Sequence, residues 1–194
     1  MEVEVKDNLR SFFYPPGGIL VWIVIYLELL TYAIAFVALA YYGSQERVDF
    51  HRDSLLLNKP IATINTILLL TSGYLVARGV KDFKAQQLKR SARFFLWAIF
   101  AGIGFLALKG FEYYTKIEAG LGMDHSSFFM FYWLMTGFHW IHVFVGVIIL
   151  FVLRLIIIKK KDNTKLEDIE AGGTFWHMCD IIWLLLFPIL YLLF

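Results

Sequence analysis

The sequence predicts an all-α protein, an integral membrane bundle of five transmembrane helices. Hydrophobic residues make up 59% of the 194-residue chain and charged residues only 18%, with a mean hydropathy of +0.65. These values lie outside the range of soluble globular domains. Five long apolar runs divide the chain, and each crossing consumes about 20 residues. Too few residues then remain for a folded soluble domain, so residues 1–194 are expected to form one membrane domain.

Each of the five apolar runs is long and continuous, and each is predicted to form one helix. The runs lie near residues 18–42, 61–80, 94–115, 128–158 and 172–194. Strands of membrane β-barrels alternate in polarity over about 10 residues, so helices are favoured over strands. Proline, asparagine and glycine precede the first, second and fifth runs, at residues 15–18, 58–60 and 171–173. Such residues are typical of helix starts and loops.

The positive charges lie mainly on one side of the predicted bundle. The N-terminal tail, with Lys6 and Arg10, shares a side with the second and fourth loops, and together they carry 13 Lys and Arg residues against 4 opposite. Cytoplasmic loops are rich in Lys and Arg, so the N-terminus is expected in the cytoplasm and the C-terminus in the periplasm. The tail lacks a small-residue cleavage site, so the first run is expected to be a span and not a cleaved signal.

Four of the five runs carry ionisable residues well inside the apolar stretch. A central Asp or Lys costs roughly 2.5 to 3.5 kcal/mol on an insertion scale, so each is expected to face the protein interior and find a partner. Three pairs have the i, i+3 spacing that places two side chains on one side of a helix. The residues are Glu28, Lys109 with Glu112, His139 with His142, and His177 with Asp180.

Depths estimated from the helical rise bring three of these groups to one level. At 1.5 Å per residue, Glu28 lies about 15 Å into its helix, and both histidine pairs lie between the midplane and the inner half. We therefore expect one buried polar cluster. In it Asp180 would orient a neighbouring imidazole, and Glu28 is the stronger functional candidate. Its members would be Glu28, His139, His142, His177 and Asp180.

Lys109 and Glu112 fall toward the outer end of the third helix instead. A Lys/Glu pair there can neutralise itself and extend to the membrane surface, beside the aromatic belt residues Tyr113 and Tyr114. We expect an interfacial pair without a further role.

The histidines leave more than one interpretation open. His142 and His177 lie on different helices at similar depth, as the axial ligands of a b-type haem must, which would make the chain a small transmembrane cytochrome. Hydrogen-bonded interhelical histidines are favoured, because only three histidines lie in the runs and no Cys-x-x-Cys-His motif exists. The sole cysteine, Cys179, cannot build a metal cluster, and no metal site is predicted. A proton-coupled transporter using Glu28 is a further alternative, but inverted repeats are not evident.

Two motifs in the last two runs carry a family resemblance. Residues 136–143 read TGFHWIHV and residues 175–183 read FWHMCDIIW. They resemble the T-G-x-H-G-x-H-V and W-H-x-x-D-x-x-W patterns of subunit III of the haem-copper respiratory oxidases. Glu28 matches an intramembrane Ser-Glu pair, and residues 110–113 match a Gln-x-x-Glu-Tyr. Trp140 replaces the glycine of the first motif, and Leu27 replaces the serine.

The five-helix form is that of quinol-oxidase subunit III and of the accessory protein of bacterial nitric oxide reductase. Residues 27–31, 65–66, 71–73 and 176–180 look most like the nitric oxide reductase accessory protein. Oxygen and nitric oxide both stay open as the substrate of the complex.

The resemblance implies a non-catalytic accessory subunit in the cytoplasmic (inner) membrane of a bacterium. Such a subunit packs beside a catalytic subunit that bears the haem and metal, holds phospholipids in a cleft, and helps sustain proton uptake. It carries no haem or copper itself, and nucleic acid is not a partner. On this resemblance Glu28 is the carbodiimide-reactive carboxylate, and the surrounding helices are tied by His139, His142, His177 and Asp180.

Overall fold

Six helices make up the described part of the chain, residues 18–159 and 165–194, in a computed structural model. Five of them are long and apolar enough to cross a membrane, which confirms the predicted fold class. The short α2 was not predicted. The helices are α1 (Ile19–Gln45), α2 (Arg47–Ser54), α3 (Lys59–Lys84), α4 (Leu88–Glu118), α5 (Ser127–Ile158) and α6 (Leu166–Tyr191).

Part of the predicted topology concerns residues that the structure does not describe. The prolines and glycine at residues 15–17 lie outside the described residues, as do Lys6, Arg10, Lys160 and Lys161 of the charge count. The cytoplasmic placement of the N-terminus stays a prediction.

Helices α4 and α6 begin earlier than the apolar runs indicated. Helix α4 starts at Leu88 and not near residue 94, and α6 starts at Leu166 and not near residue 172. Hydropathy identifies only the part of a helix that lies in the hydrocarbon core of the membrane, and the helix can begin before that part. Lys, Arg and Glu are good helix formers that extend a helix into the polar layer, because their long stems let the charge reach water.

The predicted helix starts are right in one case and wrong in another. Asn58 caps α3, since its side chain accepts a hydrogen bond from the Ile61 backbone N–H at 3.2 Å, with Pro60 in the first turn. Gly172 and Gly173, by contrast, lie inside α6. A Cβ on Gly172 would lie 2.5 Å from a Leu153 methyl carbon, so this glycine allows α6 to approach α5 closely.

Helices α3, α4, α5 and α6 form a closed four-helix ring in which each packs on the next and α3 packs on α6. Helices α3 and α4 are held by Ser72, whose hydroxyl donates to the Ala98 carbonyl at 2.9 Å, and by Ser91, which donates to the Gly79 carbonyl at 2.8 Å. Hydroxyl bonds of this kind fix the rotation of one membrane helix on another.

Helix α1 lies outside the ring, against α5 and α6. The Tyr32 hydroxyl donates to the Met135 carbonyl across the α1–α5 contact at 3.2 Å. Beside that contact is a largely apolar groove of about 410 Å³. Its lining includes Thr31, Tyr32, Ala35, Leu134, Phe138 and Ile141.

Candidate functional site

Glu28 of α1 and His142 of α5 contact each other across the interface of the two helices. The distance from Glu28 Oε1 to His142 Nε2 is 3.2 Å, and both side chains are largely buried. The other imidazole nitrogen, Nδ1, lies 2.8 Å from the Phe138 carbonyl oxygen of the preceding turn. A carbonyl oxygen only accepts, so Nδ1 carries a proton and donates it.

This geometry requires a further proton between Glu28 and His142. With Nδ1 protonated, a neutral imidazole presents a lone pair at Nε2, which would face a carboxylate that also only accepts. The contact is a hydrogen bond only if the imidazole is doubly protonated or the carboxyl group is protonated. The second carboxyl oxygen, Glu28 Oε2, is buried and has no hydrogen-bond partner in the described ranges.

His177 and Asp180 form a second pair, on the side of α6 that faces α3. His177 Nδ1 lies 3.2 Å from Asp180 Oδ2, so the carboxylate fixes the imidazole orientation. Asp180 packs directly against Gly73 of α3, where any Cβ would overlap the carboxylate. Residue 73 must therefore be glycine for Asp180 to keep this position.

His139 belongs to neither pair. Its side chain is fully buried, and neither ring nitrogen has a hydrogen-bond partner among the described residues. The ring stacks on Trp183 with centroids 5.3 Å apart and meets Phe105 edge-on at 5.7 Å. It therefore packs as an aromatic ring at the centre of the four-helix ring.

The single polar cluster expected from the depths does not form. Glu28 with His142 lies between α1 and α5, while His177 with Asp180 lies against α3, and no ion pair or hydrogen bond joins the two pairs within residues 18–159 and 165–194. Residues three apart on a helix differ by about 60° around its axis. In a tightly packed bundle that angle directs His142 to α1 and His139 to the centre.

Lys109 and Glu112 pair with each other, but they turn into the bundle and do not extend to the surface as expected. Each is only 1% exposed. Lys109 Nζ lies 3.0 Å from Glu112 Oε2, and it also donates to the Tyr132 hydroxyl at 3.0 Å and the Tyr191 hydroxyl at 2.6 Å. Both hydroxyls in turn donate to Glu112 Oε1, at 3.0 and 2.9 Å.

The four residues form a closed network in which all three ammonium donors are used. A buried ion pair is tolerated when further hydrogen bonds satisfy its remaining donors and acceptors. Tyr132 of α5 and Tyr191 of α6 supply those bonds, so the network joins α4 to its neighbour α5 and, across the ring, to α6. The two tyrosines were not predicted as site residues, and the only signal for them in the sequence is that a buried lysine needs partners from other helices.

Asn65 of α3 was also missed as a site residue. It is fully buried, and neither amide atom has a hydrogen-bond partner among the described residues. It precedes Thr66, whose hydroxyl accepts from Trp183 Nε1 at 2.9 Å. Asn65 is neutral, so no charge in the sequence marks it as a buried polar residue. Only the tertiary structure shows that its amide lacks a hydrogen-bond partner among the described residues.

The described residues hold no group of three His, Cys, Asp or Glu side chains close enough to bind a metal ion. Both His142 nitrogens are engaged by Glu28 and the Phe138 carbonyl, so an axial bond to haem iron would break one of those contacts. The contacts of His142 therefore favour helix packing over ligation of a haem iron. Fold and site together define a polytopic helical membrane protein whose intramembrane ionisable residues lie mostly in pairs, two within a helix and one between helices.

Comparison with known proteins identifies the family. The family model described as cytochrome c oxidase subunit III matches residues 56–193, and the chain belongs to this family. It is a multi-pass protein of the inner membrane. The match begins just before α3 and does not include α1.

Individual relatives extend the similarity into α1. The chain is 27% identical over 194 residues to "Heme-copper oxidase subunit I+III" of Aeropyrum pernix, covering 96% of this chain and 23% of that protein. It is 32% identical over 137 residues to "Cytochrome c oxidase subunit 3" of Thermostichus vulcanus, covering 69% and 66%. It is 27% identical over 173 residues to "Cytochrome bo(3) ubiquinol oxidase subunit 3" of Buchnera aphidicola, covering 88% and 83%. The chain thus spans less than two thirds of the length of the first two.

Proposed function

We propose that this protein is a non-catalytic accessory subunit, of subunit III type, in a haem-copper respiratory oxidase complex. One observation carries the proposal. The Aeropyrum pernix relative is named as subunits I and III in one chain, and 96% of the present chain aligns with 23% of it. A chain that joins the two subunits keeps them adjacent, which supports a partner bearing the haem and metal beside this bundle.

Within that complex, the Glu28/His142 pair is proposed to exchange a proton with a path in the catalytic subunit. The proton required between Glu28 Oε1 and His142 Nε2 supports this role, as does the largely exposed surface of α1, which leaves the pair near the outside of the bundle. Relatives that align over 88% and 96% of the chain include α1, whereas the family match starts at residue 56.

The groove between α1 and α5 is proposed to hold an acyl chain of a phospholipid. Its lining is largely apolar, and its volume of about 410 Å³ falls in the range of small-molecule sites. A lipid held there would lie beside α1 and support assembly of the complex.

A narrower form of the proposal places the chain with nitric oxide reductase. It is motivated by residues 27–31 and 176–180, which look most like the accessory protein of that complex. In either complex this chain supplies no redox centre of its own.

The proposal is tested by recovering the full-length tagged chain from native membranes in a mild detergent. We expect a haem-bearing subunit in a fixed ratio to it. The reduced-minus-oxidised haem spectrum is expected to stay with that subunit when the two are separated and to be absent from this chain. Oxygen and nitric oxide consumption by the recovered complex decides the substrate. Repeated recovery of the chain alone would contradict the accessory role, and a haem spectrum that stays with the isolated chain would establish the small cytochrome instead.

A further inference from the structure

Two arginines lie over the ring of Phe94 where α3 ends and α4 begins, and a third lines the pocket beside it. The guanidinium carbons of Arg78 and Arg90 lie 5.8 and 5.9 Å from the centre of the Phe94 ring. Beside them is a pocket of about 250 Å³ lined by Arg90, Arg93, Phe94 and Trp97. The pocket therefore combines guanidinium groups with aromatic surface.

The charges of this pocket, and of Arg78 on the neighbouring Phe94 ring, are only partly balanced. Arg90 Nε is paired with Asp82 Oδ2 at 3.1 Å. Neither Arg78 nor Arg93 forms an ion pair with a carboxylate in the described ranges, and Arg78 Nε is a buried donor without an acceptor there. Two guanidinium groups on one ring repel each other, and an unmet buried donor costs free energy. An oxyanion bound beside these arginines would reduce the repulsion between the guanidinium groups and could accept a hydrogen bond from the unmet donor.

The depth of the arginines fits the phosphate layer of a membrane. Arg78 precedes the end of α3 at Lys84 by about 9 Å, and Arg93 follows the start of α4 at Leu88 by about 8 Å, from the helical rise. Guanidinium groups at such positions reach toward lipid headgroups while their stems stay in the apolar layer.

An apolar track continues from the pocket toward the membrane centre. Trp97 and Phe100 follow Arg93 at i+4 and i+7, which places them on one face of α4. They are 61% and 56% exposed, and their rings lie 6.0 Å apart. A free phosphate ion would use only the arginines, whereas a phospholipid would use the arginines and the track.

We propose that Arg78, Arg90 and Arg93 bind the phosphate of an anionic phospholipid whose acyl chain lies along Trp97 and Phe100. Three guanidinium groups against the single carboxylate of Asp82 favour a headgroup with net negative charge over a zwitterionic one. This site is separate from the α1–α5 groove. It does not depend on which complex the chain joins.

The test uses the full-length chain, delipidated in a mild non-ionic detergent and titrated with phosphatidylglycerol or phosphatidylcholine. Native mass spectrometry counts the lipid that stays bound. We expect phosphatidylglycerol to bind about thirtyfold more tightly than phosphatidylcholine, from an attraction of about 1 kcal/mol for each of two arginines near the headgroup. The double variant Arg78→Gln/Arg93→Gln is expected to lose that preference.

The matched control is Lys159→Gln/Lys165→Gln, which removes two exposed positive charges from the same end of the bundle, one just after α5 and one just before α6. It is expected to keep the preference. Phosphatidylglycerol with a brominated chain locates the lipid further, because bromine quenches nearby tryptophan fluorescence. The quenching is expected to fall in the Trp97→Phe variant.

Three results would overturn the proposal. Equal binding of the two lipids by the parent chain would indicate a general lipid shell. Equal loss of preference in the control would indicate surface charge without a site. Full displacement of phosphatidylglycerol by millimolar inorganic phosphate, together with equal quenching in the parent chain and in Trp97→Phe, would indicate a free-phosphate site. Circular dichroism and thermal unfolding of each variant separate loss of binding from loss of fold.

Discussion

His142 Nε2 lies 3.2 Å from Glu28 Oε1, while the other nitrogen of the same imidazole donates to the Phe138 carbonyl. The second contact fixes a proton on Nδ1, so the first needs a proton of its own. The two residues stand 114 positions apart in sequence, on α1 and α5. Their contact therefore joins α1 to α5 inside the membrane-spanning part of the protein.

Replacing Glu28 with Gln is expected to abolish labelling by a hydrophobic carbodiimide while assembly stays largely intact. An amide keeps the shape and can donate to His142 Nε2, but it has no carboxyl group to react. Labelling is measured by mass spectrometry of the recovered chain. Glu118→Gln, at the exposed end of α4, serves as the control and keeps the label. Undiminished labelling of Glu28→Gln would assign the reactive carboxylate to Glu112 or Asp180.

Replacing Lys109 with Met is expected to destabilise the protein by about 3 to 5 kcal/mol, because Glu112 would stay buried without its cation. The unfolding free energy is measured by titration with a denaturing detergent. The double variant Lys109→Met/Glu112→Gln is expected to be more stable than the single variant, since it removes the unpaired charge. Lys89→Met, on an exposed side of α4, controls for loss of a lysine. Parent-like stability of Lys109→Met would contradict the buried network.

Gly73→Ala is expected to cost about 1 to 3 kcal/mol, because the added methyl overlaps the Asp180 carboxylate. Asp180→Ala is expected to impair assembly by itself, since it leaves His177 without its acceptor. The double variant is the decisive measurement. Removing the carboxylate removes the overlap, so Gly73→Ala should cost less in the Asp180→Ala background. Strictly additive effects would mean that the two residues do not touch.

His139→Phe is expected to leave the unfolding free energy unchanged or to raise it by about 1 kcal/mol. The imidazole is fully buried, its nitrogens are unpartnered among the described residues, and a phenyl ring can keep the stacking on Trp183. His142→Phe is the matched control on the same helix. It is expected to be destabilising, because it removes the partner of Glu28. A large loss of stability in His139→Phe would show that the imidazole has a polar partner, such as a buried water.

The spans could be predicted because hydropathy is a property of a local stretch of chain, and the Asn58 cap could be predicted because its partner, Ile61, is three residues away. Gly172 was misread as part of a loop. Glycine marks both loops and close helix contacts, and only the position of Leu153 on a neighbouring helix distinguishes the two.

The sequence by itself determined the five membrane helices, the subunit III family, and the pairs whose members lie one turn apart, Lys109/Glu112 and His177/Asp180. Helical geometry alone brings such residues together. Only the tertiary structure decided that Glu28 meets His142, that Tyr132 and Tyr191 complete the lysine network, and that His139 stands apart. Contacts between helices depend on the rotation of each helix about its axis, which is set by the packing of the whole bundle.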